Sequence, residues 1–415
     1  MVPARFVLPI VALIGGCASP SPSPASAPAV DAGEGRDAAP FSDGGPSPTD
    51  AAADASFGAQ DGGDAAPPAT DAAPPATDAG PSFTFTVSPV DESKIAYIVG
   101  MGTFGVPGHV IPNEHGGIFL NAQGVTLRAP GVLRIANLRR TRYLTSPTRQ
   151  GEADYAIMYF AGSSEDGVFG HVTSLAPRFD ALMTGLQCSN YSTDVETVES
   201  CSVNVNAVTT PGEPLGTVGG PTANVVDWGH HDANVTNPFA NPSRYTPALL
   251  HTVCPYDRFE PTLRASLTAK LQRTATPRCG EVAVDVPNTA QGVWVDARNA
   301  GSQLGDETSF ITLAPQYDDP TNRLRLAAAP AGIGGRQLDV VIESSGSRNR
   351  PFTTITPNGA ITCYVEARGT ASLFVALRTN GQLRVERVAH GAGSSPCNGD
   401  PASWAFGAAA MDFVR

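Results

Sequence analysis

Apolar and polar positions begin to alternate at Phe83, in the stretch S-F-T-F-T-V-S. Short apolar runs recur at 95–99, 132–136, 155–160, 202–208 and 223–228. They resume at 292–297, 310–313, 338–343, 360–367, 373–377 and 383–388. Turn residues separate these runs at short intervals, which predicts many short strands in a sandwich or barrel. One stretch repeats differently. Leu263, Leu267 and Leu271 recur every four residues behind Pro261, so 261–273 is predicted to be a helix with proline in its first turn. The fold class is therefore mainly β, a β-sandwich or barrel at 83–255 followed by a second β-module with one helix at 256–415.

The first 82 residues have a different composition. Arg5 precedes an apolar run that ends in Ile14-Gly15-Gly16-Cys17. A positive start, a short apolar core and small residues read as a signal peptide over 1–17, too short to span a bilayer. The I-G-G-C tetrad resembles the bacterial lipobox, with Ile14 where leucine is commoner. That resemblance implies lipidation of Cys17 and a membrane partner through the lipid anchor. Ala18 in place of aspartate implies an outer-membrane or cell-surface destination in the cell envelope. Residues 18–82 hold ten acids and one base, Arg36, among Ala, Pro, Gly, Ser and Thr, and D-A-A-P-P-A-T occurs twice in tandem. So few large apolar side chains cannot offset the entropy of ordering the chain, so this segment reads as a disordered tether. As a flexible coil it would span roughly 45 Å.

The formal net charge of the whole chain is -12. Most of it lies in the tether, and the remainder is close to neutral without a basic block, which argues against nucleic acid as a partner. Beyond Cys17 there are six cysteines, Cys188, Cys201, Cys254, Cys279, Cys363 and Cys397, without C-x-x-C spacing. An even number in an exported chain reads as disulfides rather than free thiols. The short-loop order 188–201, 254–279 and 363–397 is favoured among fifteen pairings.

Candidate chemistry gathers around 107–120, P-G-H-V-I-P-N-E-H-G-G-I-F-L, which holds His109, Glu114 and His115. Imidazoles beside short strands suit a metal, and equally suit ordinary loops. His171 ends a predicted strand. Asp227, Gly229 and His231 share one face of another by alternation, while Trp228 and His230 take the other. The segment His230-His231-Asp232 is expected to turn after that strand. Gly100-Met101-Gly102-Thr103-Phe104-Gly105 matches G-x-G-x-x-G, but Pro107 and Pro112 forbid the helix a dinucleotide site needs, so it reads as a glycine-rich turn. Gln291 and Trp294 could receive a sugar, although a lone strand tryptophan reads first as core.

The order of these pieces resembles the lysostaphin-type (LytM-like) zinc endopeptidases over about residues 95–235. His115-Gly116-Gly117-Ile118 is followed by Ala129-Pro130-Gly131-Val132 and then by Gly170-His171-Val172-Thr173-Ser174-Leu175. Next come the glycine turn Pro211-Gly212-Glu213-Pro214-Leu215-Gly216-Thr217-Val218-Gly219 and the strand Val226-Asp227-Trp228-Gly229. The resemblance implies a lysostaphin-like β-domain, His115 as a metal ligand and His171 as the assisting catalytic histidine. The family's aspartate ligand falls on Phe119, and its H-x-H strand falls on Asp227-Trp228-Gly229 or on Val225-Val226-Asp227.

Two functions follow as expectations. In one, an envelope lipoprotein binds cell-wall peptide or glycan in the ancestral groove without cleaving it. In the other, a rewired site of His109, His115 and Asp227 holds zinc, His171 moves protons, and Glu114 or His231 orients a ligand from behind, giving a peptidoglycan endopeptidase.

Overall fold

The computed structural model describes residues 83–415 except 106–108, 193–195, 221–222, 302–306, 330–332, 334–335, 366–368 and 392. The expected signal peptide with Cys17 and the expected tether at 18–82 lie outside the described residues.

Among the described residues there are two antiparallel sheets. The first contains β1 (Ile95–Val99), β2 (His115–Leu120), β3 (Val125–Arg128), β4 (Arg134–Thr145), β5 (Ala153–Ala161), β6 (Glu165–Leu175), β7 (Gln187–Ser192), β8 (Thr197–Val208), β9 (Pro214–Val218) and β10 (Val225–Asp232). Its order is β1-β2-β10-β6-β5-β4-β8-β7, with β3 and β9 paired to each other and β9 also to β6. The second contains β11 (Gly292–Asp296), β12 (Phe310–Pro315), β13 (Arg323–Ala328), β14 (Arg336–Val341), β15 (Thr362–Val365), β16 (Ala371–Thr379), β17 (Gln382–Ala389) and β18 (Met411–Val414). Its order is β14-β13-β12-β11-β18-β17-β16-β15, and it curls until its outer strands β14 and β15 meet. It is thus nearly a barrel, which protects its edges.

β10 organises the first module. It pairs with β2 on one side and β6 on the other, and all eight of its residues are buried. Trp228 points into an aromatic core of Phe85, Phe169, Tyr256 and Phe259, at ring-centroid distances of 5.5, 5.3, 5.7 and 5.8 Å. The strand runs on through His230, His231 and Asp232, where a turn was expected. The reason is that β6 continues opposite, pairing Asp166 with His231 and Glu165 with Asp232.

The helix forms over Pro261–Ala269, shorter than the leucine repeat predicts. Leu267 and Leu271 are buried as that repeat requires. The last turn is diverted because Ile98 on β1 donates to Lys270 O and accepts from Gln272 N, at 2.8 and 2.9 Å. Tyr256, Phe259, Leu267, Leu271 and Cys279 all join the first core, so the expected boundary at 255 falls inside a segment that straps the first module. Instead of forming a regular strand, the alternation at 83–88 supplies Phe85, which bridges to Phe259.

Cys188–Cys201, Cys254–Cys279 and Cys363–Cys397 are disulfide-bonded, closing loops of 13, 25 and 34 residues. Loops of that size constrain the unfolded chain by about 3–4 kcal/mol each in the chain-entropy account.

The modules pack tightly. Phe104, Val110 and Ile111 from the first meet Val293, Val295 and Phe310 from the second in one apolar cluster. The glycine-rich turn lies at this seam. A Cβ on Gly100 would come within 2.1 Å of the Cys279 carbonyl oxygen, and one on Gly102 within 2.0 Å of that of Glu281. These glycines permit close approach of two backbones, and among the described residues no helix lies between them and β2. Trp294 is fully buried and donates its indole N–H to Ala290 O at 2.9 Å, while the Gln291 amide donates to Val284 O at 3.1 Å. Both side chains serve the core.

Candidate functional site

The site is built on β2, β10 and β6. Gly229 lies opposite His115, and Asp227 lies opposite Gly117, so His115 and Asp227 are near neighbours on one face of the β2–β10 pair. Asp227 also lies opposite Gly170 on β6. Strict alternation would turn the next residue, His171, to the far face. It does not, because His171 has a φ of 56° at an irregularity where β6 leaves its register with β5. A left-handed non-glycine residue costs about 1–3 kcal/mol, and such strain collects at functional positions.

The result is a buried convergence. His171 Nε2 lies 3.2 Å from Asp227 Oδ2, and His115 Nε2 lies 3.6 Å from the same oxygen. The His109 ring stands edge-on to that of His115, with centroids 5.7 Å apart. All four side chains are at most 10% exposed.

Behind each imidazole stands a carboxylate on the Nδ1 side. Asp154 Oδ2 is 2.7 Å from His171 Nδ1, Glu307 Oε1 is 3.3 Å from His109 Nδ1, and Glu114 Oε1 is 3.8 Å from His115 Nδ1. Burial alone would raise the Asp227 carboxyl, but the positive fields of His171, His115 and His109 hold it down, to about 2. Burial would likewise lower His171, and the Asp227 and Asp154 carboxylates more than reverse that, lifting it well above the usual imidazole value. Glu114 is also held at about 2, since the His115 imidazole beside it outweighs its burial. The site therefore carries anionic oxygens beside a His171 imidazole that favours the charged form.

A cavity of about 190 Å³ opens beside Asp154 and His171, walled by Tyr143, Arg149, Glu152 and Thr173. The Arg149 guanidinium lies over the Tyr143 ring at 3.8 Å. On the other flank, Phe119 stacks on Tyr97 at 4.6 Å, and its ring would lie 3.1 Å from a Cβ on Gly117. Phe119 thus walls this flank of the site.

His109, Glu114, His115, His171 and Asp227 are brought together. His231 is not. Its Nδ1 lies 2.7 Å from Asp166 Oδ1, further along β10, so it has Asp166 as its partner in place of a site ligand. Asp154 and Glu307 were not singled out from the sequence. Asp154 could have been sought on the strand neighbouring His171. Glu307 lies 198 residues from His109 and has no local sign.

Ligands held about 2.1 Å from a tetrahedral ion stand about 3.4 Å apart, and two such imidazoles have ring centroids about 5 Å apart. The His115–Asp227 separation of 3.6 Å and the His109–His115 ring separation of 5.7 Å are close to those values. Among the described residues, no group of three or more His, Cys, Asp or Glu side chains is arranged to hold a metal ion. The pairwise spacing and donor chemistry nevertheless suit a zinc-sized ion.

Comparison of the chain with known protein families, characterised proteins and solved structures found no match.

Proposed function

We propose that the first module is a lysostaphin-like, zinc-dependent hydrolase domain acting on cell-wall peptide held in the cavity beside His171. The observation that supports this reading best is the set of three imidazoles around Asp227, each with a carboxylate behind Nδ1. Metal-binding histidines characteristically have such partners, which fix the tautomer and direct Nε2 to the metal. In this reading His109, His115 and Asp227 hold zinc. Bound there, zinc would supply an acidified water and polarise a scissile carbonyl. His171 accepts and returns a proton at Nε2, the nitrogen that faces Asp227, while Asp154 holds its Nδ1–H and stabilises the imidazolium. The lipobox and tether would place this domain on the cell envelope, within reach of peptidoglycan.

Phe119 supports a second reading, in which the groove binds wall peptide or glycan without cleaving it, because an aromatic wall replaces a ligand. Metal analysis and turnover of purified cell wall separate the two. One tightly held zinc per chain, lost in His115→Ala together with release of wall peptide, is the expected result. A metal-free protein that binds wall material, leaves it intact and melts at the same temperature in chelator would replace the hydrolase by the binding module.

A further inference from the structure

We propose that Glu307, which belongs to the second module, is a positioning residue for the metal site of the first. The proposal rests on the zinc reading above. The Glu307 carboxylate is shared between two adjacent residues of the first module: Oε1 lies 3.3 Å from His109 Nδ1, and Oε2 accepts the Val110 N–H at 2.5 Å. One carboxylate therefore sets both the ring and the backbone of this ligand.

Both ends of the clamp are anchored. Glu307 opens the helical turn Glu307–Ser309, which runs directly into β12, an inner strand of the second sheet. Ser309 is buried, and its hydroxyl accepts the Asn299 amide at 3.0 Å. Val110 and Phe310 lie in the same apolar cluster at the seam. Because His109 Nδ1–H donates to a carboxylate, the lone pair resides on Nε2, and the imidazole becomes a stronger donor to a cation. The second module thereby supports a site whose ligands all come from the first.

The test uses the full chain and zinc itself, titrated against a chromophoric chelator. Glu307→Gln keeps an oxygen for the Val110 N–H but replaces the anionic acceptor for His109, and Glu307→Ala removes both. Both variants are expected to bind zinc about 10–100-fold more weakly than wild type. The metal-free Glu307→Gln protein should keep the wild-type melting temperature, which a merely structural role would not combine with weakened binding. Wild type that binds one zinc, with Glu307→Gln binding it equally well, overturns the proposal and leaves the metal reading standing. Wild type that takes up no zinc overturns both.

Discussion

His171 Nδ1 lies 2.7 Å from Asp154 Oδ2, and this contact joins the edge of the cavity to the buried carboxylate of Asp227 on the other side of the ring. The ring is thus gripped at both nitrogens, and its left-handed backbone is held in place. Asp154→Asn removes the charge that stabilises the protonated imidazole while preserving shape. Turnover of purified cell wall is expected to fall about 10–100-fold, with zinc content unchanged. Wild-type turnover in Asp154→Asn would show that this pair plays no part in proton transfer.

The Tyr159 hydroxyl accepts the Trp228 indole N–H at 2.7 Å and lies 3.2 Å from His230 Nδ1, all within the first core. Tyr159→Phe keeps the ring and strands two buried polar groups. Each such group costs about 1–3 kcal/mol, so chemical denaturation should show a loss of at least about that size. A loss below the error of the measurement would mean that the indole finds another acceptor.

Burial holds the His230 imidazole below its ordinary value of 6.5, outweighing its hydrogen bond to the Glu165 carboxylate that would lift it. Between that lowered value and 6.5 the unfolded chain binds a proton that the folded chain does not. Stability from this residue is therefore complete above the unfolded value and declines as pH falls below it. Between about pH 7.5 and about pH 5.5, wild type should lose more melting temperature than His230→Gln, which cannot titrate. Parallel losses in the two proteins would rule out His230 as the source.

Much of the architecture is legible in the sequence because its strands are punctuated by glycine and proline. The run at 95–99 is β1 to the residue, and the cysteine order follows from loop length. Local pattern fails where tertiary pairing decides. His230 and His231 look like turn residues until Glu165 and Asp166 are placed across from them. Phe83 and Phe85 alternate like a strand but serve as aromatic packing. The helix gives up its last turn to β1. At the site, His109, His115, His171 and Asp227 could be picked out as residue types with the right order. Glu307 could not, because it depends on which module folds against which, and Asp154 becomes a candidate only once its strand is placed beside that of His171.

β10 has no face turned to water, and it presents Trp228 and His230 to one interior and Asp227 to another. A change in the aromatic packing therefore shifts the rail on which Asp227 rides, even when it touches none of the histidines. In a screen for altered activity, the strongest second-site suppressors should cluster among Phe85, Phe169 and Phe259, on the blind side of the strand.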